Sequence, residues 1–251
     1  MTVFQRCAFL LSSLIVPLAL AGPALAAPLR IAAAADLASC MPALTAGFVG
    51  ETSVTTGASG SFYAQIRNGA PFDILMSADT SYPQALADAG LADGASMFVY
   101  ALGQLVLWSA DPALKTAGGL QLLADPSVRR IAIANPEVAP YGRAAKAALQ
   151  QAGLWDRVQG KLVYGENVAQ TMQFVESGNA QVGLVSKAHL KDRPNGWMLP
   201  AGSHPALEQG AIVTARGREH PAAARYLQFL RSDRGRALLA GCGFLLPPAR
   251  P

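Results

Sequence analysis

The hydrophobic pattern alternates between short apolar runs and longer segments with helical spacing. Residues 31–35 are apolar without interruption, and this run is too short for an amphipathic helix. The apolar positions that follow recur at helical spacing; they are Leu37, Met41, Leu44 and Phe48. The pattern predicts a strand that leads into a helix near Asp36. Pro42 favours a helix that starts after Ser39, because a proline in the first turn costs no hydrogen bond.

A strand that leads into a helix has a chemical consequence at the junction. The first N–H groups of a helix have no intrahelical partner and carry partial positive charge, so an oxyanion can bind there. The alanines at 32–35 would let a ligand approach the backbone closely. For a single junction of this kind, tight packing of the strand against the helix is the favoured explanation.

The same arrangement of strand, small or polar residues and helix recurs three more times. The predicted strands are 53–56, 130–134 and 161–164. The residues near the starts of the helices that follow are Ser59, Tyr141 and Val168. Because strands and helices alternate, the chain is predicted to be an α/β protein with mainly parallel sheets. Four such junctions facing each other across two lobes would form an anion site.

Two long apolar segments are placed to cross between two lobes. Phe98–Ala110 is predicted to be one long strand that leaves the first lobe, and Glu208–Arg216 is the predicted return. The predicted division therefore assigns residues 27–103 and 211–251 to lobe one and residues 104–210 to lobe two.

The first 26 residues have the pattern of a cleaved signal peptide. Arg6 supplies the positive charge, residues 7–20 are apolar, and Ala24 and Ala26 form a small-x-small cleavage site. Export to the periplasm is therefore predicted. The formal net charge of +4 comes from scattered basic residues without an aromatic-interleaved stripe, so no nucleic-acid partner is expected.

Cys40 and Cys242 follow the predicted signal peptide. Export permits a disulfide, although the spacing alone is equally compatible with two buried thiols. We expect the two residues to lie in the same lobe and close enough to oxidise.

An exported enzyme is a further hypothesis. Asp36, Asp73, Asp79 and Glu166 can be imagined as acid and base pairs. Each lies in a motif that has an adequate structural role, and no nucleophile accompanies them. The prediction is a protein without catalytic residues.

Three runs of residues resemble the periplasmic molybdate-binding proteins of ATP-driven transporters. They are SGSFYAQIRNGAPFDILMSAD at 59–79, IANPEVAPYG at 133–142 and GENVAQ at 165–170. The resemblance implies a two-lobed periplasmic-binding-protein fold of type II, with helices flanking the sheets and a ligand cleft between the lobes. It also implies molybdate or tungstate as the ligand and the membrane permease of an ABC transporter as the partner. We expect a monomer with no cofactor, in which the metal is bound only as its oxyanion.

The resemblance also implies the site residues. Ser59 matches a hydroxyl and amide donor, and Tyr141 and Val168 match backbone donors. A tyrosine that serves as a further donor in some members aligns with about Ser186.

The first junction departs from the family pattern. Ala35 and Asp36 stand where the family usually has serine, threonine or asparagine. An ionised carboxylate only accepts hydrogen bonds, so Asp36 would repel molybdate. Alternatively, Asp36 turns away to cap its own helix or to pair with Lys187 or Arg143. A third reading is that Asp36 binds a cationic or donor-bearing ligand, such as a metal chelate or a small amine.

Overall fold

The structure is a computed structural model that describes residues 27–191 and 193–248. The predicted signal peptide at 1–26 lies outside the described residues. Within the described ranges, no helix combines the length and apolar character that a bilayer span requires.

Strands and helices alternate along the chain, as predicted. The strands are β1 Leu29–Ala34, β2 Thr52–Gly57, β3 Ile74–Ser77, β4 Phe98–Gly103, β5 Leu105–Trp108, β6 Ile131–Ala134, β7 Leu162–Gly165, β8 Val182–Ser186, β9 Gly196–Met198 and β10 Leu207–Val213. The α-helices are α1 Met41–Gly47, α2 Ser59–Arg67, α3 Ser81–Asp88, α4 Pro140–Gln151, α5 Trp155–Val158, α6 Val168–Glu176, α7 Lys187–Leu190, α8 Ala223–Arg231 and α9 Asp233–Gly241. Short 3-10 helices occupy Ala35–Leu37, Gly94–Ser96, Thr116–Ala124, Gln159–Lys161 and Arg216–Glu219.

The strands form two five-stranded sheets with matching topology. The first sheet has the order β2-β1-β3-β10-β4, and the second has the order β7-β6-β8-β5-β9. In each sheet the first three strands run parallel, and the remaining pairs are antiparallel. The predicted fold class, an α/β protein with two lobes, is confirmed, and the sheets are mixed. We call the first sheet with its helices the first lobe and the second sheet with its helices the second lobe.

The crossing segments differ from the prediction in detail. Phe98–Ala110 is not one strand, because the chain leaves the first sheet after Gly103 and enters the second at Leu105. The backbone oxygen of Gln104, between the two strands, accepts a hydrogen bond of 3.0 Å from the Lys187 N–H. Strand β10 pairs with β4 from Leu207 onward, so residues 207–210 belong to the first sheet and not to lobe two. The exact division of the chain into domains stays a prediction.

A disulfide joins the two cysteines within the first lobe. Cys40 precedes α1, Cys242 follows α9, and their Cα atoms are 5.6 Å apart. The prediction that the pair lies close enough to oxidise is confirmed. Helix α1 begins at Met41 with Pro42 in its first turn, as the position of the proline indicated.

Candidate functional site

One cleft collects the ends of the four predicted junctions. Its cavity volume is about 10 Å³, which is room for about one water molecule, so the cleft is narrow in this structure. Its lining residues are Ala34, Ala35, Asp36, Gly57, Ala58, Ser59, Ala78, Ala139, Pro140, Tyr141, Asn167 and Val168. The five predicted site residues are all among them, so the structure brings together residues more than 130 positions apart. The lining is made mainly of small side chains and the N-terminal turns of helices.

The second junction places a serine hydroxyl in the cleft. Ser59 is the first residue of α2, and its Oγ accepts a hydrogen bond of 3.0 Å from the Ala78 N–H. Ser59 therefore does not cap its own helix, because the residue before it, Ala58, is the N-cap and has no side-chain cap. Since the Oγ accepts from Ala78, its own proton can be donated to a ligand.

The third junction uses a proline to expose a single amide. Pro140 is the first residue of α4 and has no N–H, and Ala139 before it provides no side-chain cap. The first amide of this helix is therefore that of Tyr141, which has no backbone acceptor among the described residues. The tyrosine side chain is buried, so the N–H is held in a fixed position.

The fourth junction leaves one amide of a capped helix without a partner. The Asn167 side chain accepts hydrogen bonds of 3.0 Å from both the Ala169 and the Gln170 N–H groups. The Val168 N–H, the first of α6, has no acceptor among the described residues. The cap therefore satisfies the second and third amides and leaves the first without an acceptor among the described residues.

The first junction carries the unusual carboxylate. Asp36 lies in the 3-10 helix Ala35–Leu37 directly after β1, is fully buried, and lines the cleft. The Gln209 side-chain amide donates to its Oδ2. Among the described residues, no donor forms a well-oriented hydrogen bond with Oδ1. A buried acceptor without a partner costs free energy, which makes this oxygen notable.

The pKa of Asp36 is raised to about 6, chiefly because burial removes water from the charged form. Hydrogen bonds from Gln209, from the nearby Tyr141 hydroxyl and from the backbone of Asp36 and Leu37 lower the pKa again in part.

Asp36 belongs to a polar network that runs from the cleft towards the crossing strands. The Gln209 Oε1 accepts from the Tyr100 hydroxyl at 2.7 Å, and the Ser186 Oγ donates to the Tyr141 hydroxyl at 3.0 Å. Burial, reinforced by the nearby Asp36, raises the pKa of both tyrosines far above the usual range, so they stay neutral.

Two expected roles of Asp36 are wrong. It does not cap a helix, because Ala34 is the N-cap of the 3-10 helix and no side chain caps it. It does not pair with Lys187 or Arg143 either, because Lys187 Nζ donates to a backbone oxygen and Arg143 pairs with Asp79. The physical reason is depth: long cationic side chains keep their charge near solvent, whereas Asp36 is fully buried.

Ser186 is also not a cleft donor. It caps α7 by accepting from the Ala188 N–H at 3.3 Å, and it holds the Tyr141 hydroxyl. It does not line the cleft.

Contacts at the rim connect the two lobes. Arg143 of α4 forms an ion pair with Asp79, and it donates a hydrogen bond of 2.9 Å to the Tyr82 hydroxyl. The Gly60 N–H donates to the Val138 carbonyl oxygen at 2.9 Å. The lobes are therefore closed on each other around the cleft.

The donor set favours an oxyanion. The cleft offers backbone N–H groups at helix starts and the Ser59 hydroxyl, which stabilise negative charge. Among the described residues, no group of three or more histidine, cysteine, aspartate or glutamate side chains is placed to hold a metal ion.

Some residues of the site had no recognisable signal in the sequence. Gln209 lies 173 positions from Asp36 in the sequence, and Tyr100 lies 109 positions from Gln209. Asn167 did have a local signal, because asparagine before a helical pattern is a common N-cap.

Comparison with known proteins identifies the family. Residues 29–245 match the model of the bacterial extracellular solute-binding proteins. The chain is 36% identical over 240 residues to the molybdate-binding protein ModA of Rhodobacter capsulatus, covering 93% of this chain and 94% of the relative. It is 35% identical over 248 residues to ModA of Azotobacter vinelandii, covering 94% and 98%. The solved structure of the Azotobacter vinelandii periplasmic molybdate-binding protein superposes with a TM-score of 0.82 at 32% identity, covering 87% of this chain and 99% of that chain. The chain therefore belongs to the bacterial extracellular solute-binding protein family, among the molybdate-binding proteins named ModA.

Proposed function

We propose that this protein captures molybdate or tungstate in the periplasm and delivers the oxyanion to an ABC importer. The observation that carries the proposal is the Val168 N–H, which the Asn167 cap leaves without an acceptor at the edge of the cleft. Tyr141, whose amide has no backbone acceptor among the described residues, and Ser59 line the same cleft. Donors fixed before the ligand arrives bind an oxyanion without the cost of ordering them.

A cationic ligand is the less favoured alternative. It would need Asp36 as an exposed, ionised partner, but Asp36 is fully buried and already accepts from Gln209. Burial also favours the neutral form of its carboxyl group. The other cleft groups are donors, which repel a cation.

The remaining parts of the proposal follow from the family. Residues 1–26 act as a cleaved signal peptide, the mature protein is a monomer, and its partner is the membrane permease of an ABC transporter. The relatives are named as molybdate-binding proteins, which supports a binding role for this chain.

A calorimetric titration tests the ligand class. The purified mature protein is titrated with molybdate, tungstate, sulfate and a panel of divalent cations and amines in buffer without phosphate. We expect molybdate or tungstate to saturate one site per chain. Binding of a cation or an amine in place of both oxyanions would overturn the proposal.

A pair of substitutions at one position tests the backbone donor. Val168→Pro removes the N–H at the first position of α6, where proline is well tolerated, and replaces the valine side chain by the proline ring. The extended conformation of Asn167 is also compatible with a following proline. Val168→Ala removes the side chain but keeps the N–H.

We expect Val168→Pro to weaken oxyanion binding by about ten- to a hundredfold, since a hydrogen bond to a charged group contributes about 1.5–3 kcal/mol. Val168→Ala should bind much as the parent does. Equal affinities for both variants would mean that the Val168 amide does not contact the ligand.

A further inference from the structure

Asp36 is the feature of the cleft that the proposed function leaves unexplained. It is fully buried, it lines the cleft, and among the described residues its Oδ1 accepts no well-oriented hydrogen bond, although the Tyr141 hydroxyl and the amides of Asp36 and Leu37 lie nearby. Oδ2 is already used, because it accepts from the side-chain amide of Gln209. Oδ1 is therefore the carboxylate oxygen that remains for a ligand.

An ionised carboxylate cannot sit beside an oxyanion without cost. Both groups only accept hydrogen bonds, and like charges in close contact repel strongly where little water is present. One proton placed between the two oxygens removes the repulsion and supplies a donor.

We propose that the cleft takes up its oxyanion together with one proton from solvent, which is bound to Oδ1 of Asp36 and donated in a hydrogen bond to a ligand oxygen. The carboxylate becomes a carboxylic acid, an O–H bond forms on Asp36, and no bond of the ligand breaks. The inference rests on the proposed function, because it assumes an oxyanion in the cleft.

The surroundings of Asp36 favour it as the acceptor of this proton. Only hydrogen bonds lower the pKa of Asp36, and no positively charged side chain among the described residues stabilises its ionised form. Burial is the main cause of its raised pKa, so the carboxyl group is close to protonation near neutral pH. Tyr100 and Tyr141, which face it from β4 and α4, are already neutral. The cationic group at the rim, Arg143, is paired with Asp79.

His189 is the other titratable group near this junction. Its Nε2 lies 2.9 Å from the Ala35 carbonyl oxygen, so Nε2 carries the proton and donates. Its Nδ1 is buried without a partner among the described residues, and burial lowers the pKa of the ring. A second proton on His189 would therefore be a buried charge without an acceptor, which makes it a poor site for uptake.

Proton counting by calorimetry tests the inference. Molybdate is titrated into the mature protein at pH 7.5 in HEPES and in Tris, two buffers whose ionisation enthalpies differ widely. The difference in observed enthalpy gives the number of protons taken up. We compare three proteins: the parent, Asp36→Asn and Asp88→Asn. The last is the control, because it changes an exposed carboxylate on α3.

We expect the parent and Asp88→Asn to take up about one proton per molybdate and Asp36→Asn to take up none. The parent affinity should fall about tenfold between pH 7 and pH 8, because each pH unit above the pKa makes the protonated form tenfold rarer. The affinity of Asp36→Asn should be nearly constant over this range.

Three outcomes would overturn the inference. A parent that binds molybdate without proton uptake refutes it and leaves the proposed function intact. An Asp36→Asn variant that still takes up a proton assigns the proton to another group, such as His189. If neither protein binds molybdate or tungstate at any pH between 6 and 8, the proposed function fails and the inference fails with it.

Discussion

Replacing Asp36 by asparagine should make the ligand-free protein more stable, by an amount that depends on pH. The carboxyl group is fully buried, and its pKa rises from 3.8 to about 6. An asparagine keeps an oxygen that can accept from Gln209 and removes the charge. The comparison therefore isolates the cost of burying the ionised form.

The direction of the pH dependence follows from the two pKa values. Below about pH 4 the carboxyl of Asp36 is neutral in both folded and unfolded protein. Between about pH 4 and pH 6 the folded protein keeps a proton that the unfolded chain has released, so stability falls as the pH rises. Above pH 6 the stability that the protonated carboxyl group of Asp36 provides at low pH is lost.

The shift in the pKa of Asp36 sets the magnitude. One pKa unit corresponds to about 1.36 kcal/mol, so the rise from 3.8 to about 6 corresponds to about 3 kcal/mol in total. About 2 kcal/mol of this change falls between pH 4.5 and pH 7.5. The stability of Asp36→Asn relative to the parent should increase by that amount over this range.

The difference in unfolding free energy between Asp36→Asn and the parent is measured by urea denaturation. Both proteins are unfolded without any oxyanion at pH 4.5, 5.5, 6.5 and 7.5. Other titrating groups act equally in the two proteins and cancel in the difference. Asp88→Asn serves as the control and should show no such trend, because its carboxylate is exposed. If the difference in unfolding free energy between Asp36→Asn and the parent stays constant with pH, burial of the ionised Asp36 does not destabilise the folded protein as argued.

Three further variants test the disulfide, the serine donor and the packing around the polar network. Replacing Cys40 and Cys242 together by serine should lower the free energy of unfolding by about 3–5 kcal/mol, because the disulfide spans 202 positions. Urea denaturation measures this change, and an unchanged midpoint would contradict the prediction. Ser59→Ala should weaken molybdate binding about ten- to a hundredfold through loss of a hydrogen bond to a charged group, and unchanged calorimetric affinity would exclude the hydroxyl from the site. Gly103→Ala should lower the unfolding free energy by about 1–3 kcal/mol, because a Cβ would collide with the Tyr141 hydroxyl; an unaltered melting temperature would argue against this packing.

The parts of the site that depend on local sequence were predictable. A helix start, such as that at Val168, is signalled by the residues immediately around it, and so is the strand before it. Pro140 likewise marks the start of α4 and singles out the Tyr141 amide. Local rules therefore located the junctions, and the family resemblance suggested that they share a ligand.

The environment of Asp36 was not predictable, because it depends on contacts between distant segments. Its partner Gln209 lies on β10, and nothing near either residue marks the pairing. The break in the Phe98–Ala110 segment was missed for a related reason. The segment is apolar on both sides of Gln104, and periodicity does not report that the two halves enter different sheets.

The central claim is that the four strand–helix junctions hold one tetrahedral oxyanion. A crystal of the mature protein grown with molybdate, measured at a wavelength where molybdenum scatters anomalously, tests it most directly. We predict one strong anomalous peak per chain inside the cleft, within hydrogen-bond reach of the Val168 and Tyr141 amides and of the Ser59 hydroxyl. A peak bound only at surface basic residues, or a cleft without a peak at saturating molybdate, would contradict the account.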